Sequence, residues 1–300
     1  MASERPHAVR RDCEPPEVAV EAAVRRALEE DLLPLGDLTA SLLPPDARAV
    51  AAFVSRSPGV LAGVACAESA LLIVDPDLVL AFERRDGDLI GPGDEVGQVS
   101  GRLRSIVTAE RTALNFLCHL SGVATLTRSF VERARAANPA TRVLDTRKTT
   151  PGLRALEKAA VRAGGGVNHR AGLSDAVLVK DNHLGGTAIA DAVAAALVRW
   201  PGRMVEVECD RLEQVAEAVE AGATVVLCDN FAPDEVAAAV RLVSGHPRGS
   251  KVLVEASGGV TLDTVAGFAA AGADLVSVGA LTHSAPILDI GLDLLSHDVN

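Results

Sequence analysis

From about residue 141 the chain alternates short apolar runs with amphipathic helical segments, and this alternation constrains the fold more than any other feature. The runs are RVLD (142–145), AVLVK (176–180), MVEVE (204–208), TVVLC (224–228), KVLVEA (251–256) and DLVSVG (274–279). Helical patterns lie between them at 153–164, 187–199, 211–221, 233–244 and 261–271. Nearly continuous apolar strands in βα alternation imply parallel strands covered by helices. Six units are too few for an eight-stranded barrel, so the spacing predicts an open or partial α/β barrel over 121–285.

The preceding half has a different texture. Residues 1–16 are polar and expected to be frayed. Residues 17–33 have helical spacing with a charged outer face. ARAVAAFVS, LVLAFER and EVGQVSGRL read as short strands between 47 and 103, broken by Pro58-Gly59, Asp86-Gly87 and Gly91-Pro92-Gly93, with a helical CAESALLIV (66–74) among them. Residues 106–137 give the longest helical pattern, in which Gly122 is expected to mark a bend or break. The prediction is an N-terminal α/β sandwich domain over 1–120 and a C-terminal segment, 286–300, that packs back on it.

Composition narrows the function. Aromatics are 2% of 300 residues, with no Tyr, so small aliphatics fill the core and the composition argues against a base-stacking nucleic-acid binder. A formal charge of −11 opposes nonspecific attraction to nucleic acid or anionic membranes, so neither is expected as a partner. The longest charge-free run, 112–127, is too short and polar to span a bilayer, and no secretory leader is evident. Five cysteines without C-x-x-C spacing suit reduced thiols in a cytoplasmic protein.

In parallel α/β folds, catalytic and binding groups collect at the carboxyl ends of the strands. Here those ends deliver Asp145-Thr146-Arg147-Lys148, then Lys180-Asp181-Asn182-His183, then Glu206 and Glu208, Asp229-Asn230, Glu255 with Ser257-Gly258-Gly259, and finally Val278-Gly279-Ala280. The chain has four lysines against 25 arginines, and two of those lysines, Lys148 and Lys180, stand at strand ends. A compact ammonium there suits phosphate or carboxylate. Glu208 and Asp229, on adjacent units, suit Mg²⁺ held through water and substrate phosphates, or else structural pairing with neighbouring cations. Glu206 shares the parity of Glu208, so both can face inward. No hydrolase triad or zinc motif is present. The residues alone describe a site for a phosphorylated, Mg²⁺-bound substrate and an anionic partner, which leaves several enzyme classes open.

TAERTALN (108–115), DTRKTTPG (145–152), EKAAVRAGGGVNHRAGLSDAVLVKDNH (157–183), VEVE (205–208), CDN (228–230), EASGG (255–259) and SVGALTHS (277–284) resemble quinolinate phosphoribosyltransferase, and the similarity runs in order from about Glu30 to Leu292. The resemblance implies an α/β sandwich plus an α/β barrel open on one side, in a homodimer with shared active sites. It implies transfer of phosphoribosyl from phosphoribosyl pyrophosphate to quinolinate with decarboxylation, using Mg²⁺ and no organic cofactor. By motif, Arg111 of the partner subunit would reach the quinolinate carboxylates and Arg147, His169, Arg170 and Lys180 would line the same pocket, with Lys148 between the two substrates. Glu208 and Asp229 would hold the ribose hydroxyls and Mg²⁺, Ser257, Gly258 and Gly279 would take the 5′-phosphate, and Thr146, Gly259, Val278 and Ala280 would be further substrate-binding residues. Lys148, Glu208 and Asp229 would be the catalytic residues. The alternatives are a related transferase acting on nicotinate and a catalytically idle anion-binding module.

Overall fold

The computed structural model describes residues 13–298, which divide into two compact units. The first comprises residues up to 126, together with 150–165 and the chain from 285 onward. Its helices are α1 (Glu17–Leu32), α2 (Val64–Val74), the first part of α3 (Leu103–Ala137) and α4 (Arg154–Ala163). Its strands are β1 (Arg48–Ser55), β2 (Gly59–Val60), β3 (Val79–Phe82), β4 (Leu89–Ile90), β5 (Glu95–Arg102) and β12 (Ile290–Asp298).

These strands form an antiparallel sheet in the order β12-β1-β5-β3, with β2 and β4 as a separate pair. The returning strand β12 pairs along the whole of β1, from Arg48 opposite Asp298 to Ser55 opposite Ile290. Phe53, fully buried on β1, meets Phe82 of β3 with ring centroids 5.4 Å apart. Elsewhere Ala, Val and Leu fill this core, as the aromatic-poor composition requires.

Two expectations are corrected here. Residues 1–12 of the segment expected to fray lie outside the described residues, but 13–16 are held in place. Cys13 is buried with its thiol on the Asp86 carbonyl, and the Arg162 guanidinium donates to the Glu14 carbonyl at 3.2 Å. Secondly, α3 runs unbroken through Gly122. A Cβ at that position would lie 2.1 Å from the Pro286 carbonyl oxygen. The glycine therefore answers a close backbone approach rather than a bend, which a one-dimensional pattern cannot distinguish.

The second unit comprises residues 127–149 and 166–284. Its strands are β6 (Arg142–Leu144), β7 (Val177–Val179), β8 (Val205–Cys209), β9 (Val225–Asp229), β10 (Leu253–Ser257) and β11 (Leu275–Ser277). All are parallel, in the order β6-β11-β10-β9-β8-β7. The sequence neighbours β6 and β7 thus stand at opposite ends of the order and do not pair, and this is where the six-stranded barrel is open. Helices α5 (Asp181–Leu184), α6 (Ile189–Arg199), α7 (Leu212–Ala221), α8 (Pro233–Gly245), α9 (Val265–Ala270) and α10 (Ala280–His283) connect the strands.

The strand runs and longer helices fall where the periodicity puts them, with two local trims. Gly249–Lys251 forms a 3₁₀ turn, so β10 starts at Leu253. The Thr264 hydroxyl accepts from the Thr261 amide and donates to the Thr261 carbonyl in a turn, so α9 starts only at Val265. Residues 150–165, including α4, cluster with the first unit although they lie between two barrel strands in sequence. Glu157 supplies one reason: fully buried, it accepts from His119 on α3 at 2.9 Å and from the Thr150 amide at 3.0 Å. Among the described residues, no helix is long and apolar enough to cross a membrane.

Candidate active site

The carboxyl ends of the barrel strands gather every residue expected at the site except Arg111, which is exposed on α3 within the first unit. After β6, Thr146 is half-buried and its hydroxyl accepts the Lys148 amide at 2.9 Å. Arg147 and Lys148 are exposed, with the Lys148 carbonyl accepting from Thr282 at 2.8 Å. A Cβ on Gly279 would lie 3.1 Å from the Lys148 side chain, so the β6 and β11 ends adjoin.

Val278 is buried and its amide donates to the Leu144 carbonyl at 2.9 Å. Only its carbonyl side is left for a ligand. The neighbouring Gly279 and Ala280 are half-buried.

At the β10 end, Gly258 has φ +96°, and a Cβ there would sit 2.3 Å from the Asn230 side-chain oxygen. Both the left-handed backbone and the close approach require glycine. Gly259 also has positive φ but faces open space, and Ser257 is half-buried. Asn230 itself adopts φ +58°, with its amide bonded to the Ser257 carbonyl at 2.8 Å and its side chain donating to Asp229 at 2.8 Å. Together these fix a tight double turn across the β9 and β10 ends.

Lys180 and Glu208 form an ion pair at the β7 and β8 ends. Lys180 thus gives Glu208 the structural pairing expected as its alternative role. Glu208 pairs in register with Leu227, and Asp229 lies two residues further along β9. Both carboxylates therefore project from the same face of the sheet, with Cα atoms about 8 Å apart on standard strand spacings. Two half-buried carboxylates on adjacent strand ends, open toward solvent, fit a hard cation held through water and phosphate oxygens.

Below this layer the barrel interior is ionic. Asp145, Glu206, Glu255 and Ser277 are all buried, and His169 reaches in among them. Asp145 accepts the His169 amide at 2.8 Å and the Asn168 side chain at 2.6 Å. His169 Nε2 lies 3.2 Å from Glu206 and 3.6 Å from Glu255, and the Ser277 hydroxyl donates to Glu255 at 2.5 Å. Burial, with the Glu206 carboxylate beside it, pushes Glu255 up to about 8.

Arg170 is also buried and donates to the Ala176 carbonyl at 3.2 Å. Burial first, and then the neighbouring Arg147 charge, lower its pKa, while Glu206 acts in the opposite sense. Sequence reasoning placed Glu206 inward by parity but gave no role to Asp145, Asn168 or Ser277. The only available signal was their position at strand ends.

With this geometry in place, the relatives can be compared. A family model for the quinolinate phosphoribosyl transferase C-terminal domain matches residues 123–293, and one for the N-terminal domain matches residues 37–121. The chain belongs to the quinolinate phosphoribosyltransferase family. It is 42% identical over 283 residues to the nicotinate-nucleotide pyrophosphorylase [carboxylating] of Mycobacterium leprae, covering 92% of this chain and 97% of that one. It is 39% identical over 300 aligned positions to quinolinate phosphoribosyltransferase [decarboxylating] 1b of Nicotiana tabacum, covering 93% of this chain and 83% of that one. The solved nicotinate-nucleotide pyrophosphorylase of Francisella tularensis superposes with a TM-score of 0.87 at 36% identity, over 96% of this chain and all of that one. The open barrel is therefore the family's fold, and its strand ends are where the family's motifs fall.

Proposed function

We propose that this chain transfers the phosphoribosyl group of phosphoribosyl pyrophosphate to the ring nitrogen of quinolinate and releases pyrophosphate and CO₂, forming nicotinate mononucleotide in NAD biosynthesis. One observation carries the reading at the level of chemistry. Four cations, Arg147, Lys148, Arg170 and Lys180, share the strand ends of one barrel with two carboxylates, Glu208 and Asp229. The cations match a dicarboxylate and a pyrophosphate, and the carboxylates match a sugar that turns cationic.

Arg147, Arg170 and Lys180 hold the two quinolinate carboxylates, aided by Arg111 from the partner subunit and by Thr146, while His169, bonded at both ring nitrogens, lines the pocket beside Arg170. Lys148 lies between the substrates and neutralises departing pyrophosphate. As the C1–O bond breaks, positive charge develops on the ribose, and Glu208 and Asp229 stabilise it. Lys180 and Glu208 pair with each other, so the quinolinate contact and the ribose contact are made by adjoining groups of opposite charge. Glu208 and Asp229 would hold Mg²⁺, partly through water and substrate, and the ion would supply charge neutralisation to the pyrophosphate.

The double turn at Gly258 and Gly259, with Ser257, Gly279 and Ala280, offers backbone N–H groups to the 5′-phosphate, and Val278, whose amide is bonded to Leu144, anchors the chain beside them. Once alkylated, the ring nitrogen is a cation. Loss of the adjacent carboxylate then leaves an electron pair that this cation stabilises, and a proton from solvent completes the ring carbon. No organic cofactor or protein base is needed for that step.

A homodimer in the cytoplasm completes the reading. Leu33, Leu35, Leu38 and Leu42 are 64–84% exposed within ten residues of the first unit, a density of apolar surface that favours a protein partner. The deciding assay incubates the purified chain with phosphoribosyl pyrophosphate, Mg²⁺ and either quinolinate or nicotinate. CO₂ and nicotinate mononucleotide are expected from quinolinate and no product from nicotinate; turnover of nicotinate alone would refute the proposal.

A further inference from the structure

The buried carboxyls Glu206 and Glu255 touch no substrate group in the reading above, yet they occupy the middle of the barrel. They come from β8 and β10, and Ser277 from β11 adds a donor to Glu255. A buried ionic cluster of this kind is not an efficient way to stabilise a core, because apolar residues of similar volume are commonly as good or better. Its geometry instead specifies one ring.

His169 is tied at its amide and at both ring nitrogens. Its amide donates to Asp145 at 2.8 Å, and its Nδ1 accepts the Arg170 amide at 2.8 Å. Its Nε2 faces Glu206 Oε1 at 3.3 Å and Oε2 at 3.2 Å, with Glu255 Oε1 at 3.6 Å. A backbone N–H can only donate, so Nδ1 carries no proton. A carboxylate beside Nε2 calls for a donor there. The ring is therefore the neutral Nε2–H tautomer, and its orientation fixes the peptide that leads into Arg170. Segment 167–170 itself sits against β6 through the Leu144–Val167 bridge, beside the open seam of the barrel.

We propose that Glu206 and Glu255, steadied by Ser277, are positioning residues: they hold His169 in the Nε2–H tautomer and thereby set the Arg170 guanidinium for the quinolinate carboxylates. This rests on the reading that Arg170 grips quinolinate. Quinolinate affinity should then depend on the pair, whereas the phosphoribosyl pyrophosphate site at the β9, β10 and β11 ends should not.

The test uses Glu206→Gln, Ser277→Ala and, as control, Arg170→Ala in the full chain. Steady-state kinetics of Glu206→Gln should show the quinolinate KM raised about tenfold or more, with the KM for phosphoribosyl pyrophosphate within about twofold of wild type. Ser277→Ala should move the same parameter in the same direction by a smaller factor. Long-range ¹H–¹⁵N spectra of the histidine rings should show His169 as the Nε2–H tautomer in wild type and a mixture of tautomers in Glu206→Gln. An Nδ1–H ring in wild type, an unshifted quinolinate KM, or equal rises in both KM values would overturn the proposal. Should Arg170→Ala leave the quinolinate KM unchanged, the assignment of Arg170 fails instead, and the spectra still decide the state of the ring.

Discussion

Replacing Glu255 by Gln tests the ionic interior through stability. Glu255 is 1% exposed, and burial followed by the Glu206 carboxylate raises it from 4.5 to about 8, while His169 and Ser277 pull the other way. A carboxyl whose folded pKa is raised binds its proton more tightly in the folded state. It therefore costs nothing below its unfolded value, and stability is lost as pH rises between 4.5 and about 8. One proton linked over that window corresponds to about 1.4 kcal/mol per pH unit, or about 5 kcal/mol above pH 8. Between about pH 6 and about pH 9 the wild type should lose roughly 3 kcal/mol on this account. Glutamine keeps the shape and cannot ionise, so Glu255→Gln should lack that slope. Urea unfolding followed by circular dichroism at both pH values gives the stability difference between the two chains. That difference should shift by about 3 kcal/mol in favour of Glu255→Gln on going to high pH. A difference constant to within ~0.5 kcal/mol would show that Glu255 does not hold a proton in the folded barrel.

Three further outcomes are expected. Lys148→Ala and Arg111→Ala should each lower turnover at least tenfold, about 1.4 kcal/mol of transition-state stabilisation, and wild-type rates would remove both from the site. Gly122→Ala should lower thermal stability by about 1–3 kcal/mol or more, because its Cβ meets the Pro286 carbonyl at 2.1 Å; an unchanged melting temperature would mean that the approach relaxes freely. Asp229→Asn should raise the Mg²⁺ concentration needed for half-maximal turnover at least several-fold, and chelation should abolish turnover of the wild type; an unaltered Mg²⁺ dependence in Asp229→Asn would exclude its proposed role.

The linear pattern carried much of the fold because its signals are local. Six apolar runs, each flanked by amphipathic segments, place β6 to β11 within one or two residues. The strand-end rule then points to Lys148, Lys180, Glu208 and Asp229 without any knowledge of pairing, since the carboxyl end of a strand is defined by sequence direction alone. Glycine was only half legible. Gly258 reads as a turn and is one, whereas Gly122 reads as a helix break but lies in an unbroken helix against a carbonyl 164 residues away in sequence.

By itself, then, the sequence determined the alternation, the parallel strands, the cationic strand ends and the family, because periodicity and motif spacing are properties of neighbours along the chain. Tertiary structure alone decided which groups meet. The Lys180–Glu208 pair, the gap between β6 and β7, the docking of 150–165 with the first unit, and the burial of Glu206 and Glu255 around His169 all depend on strand order and register. The parity that turns both Glu206 and Glu208 inward is readable. That one becomes a buried partner of an imidazole while the other stays at the rim follows from depth along the barrel, a coordinate that exists only once six strands have closed around it.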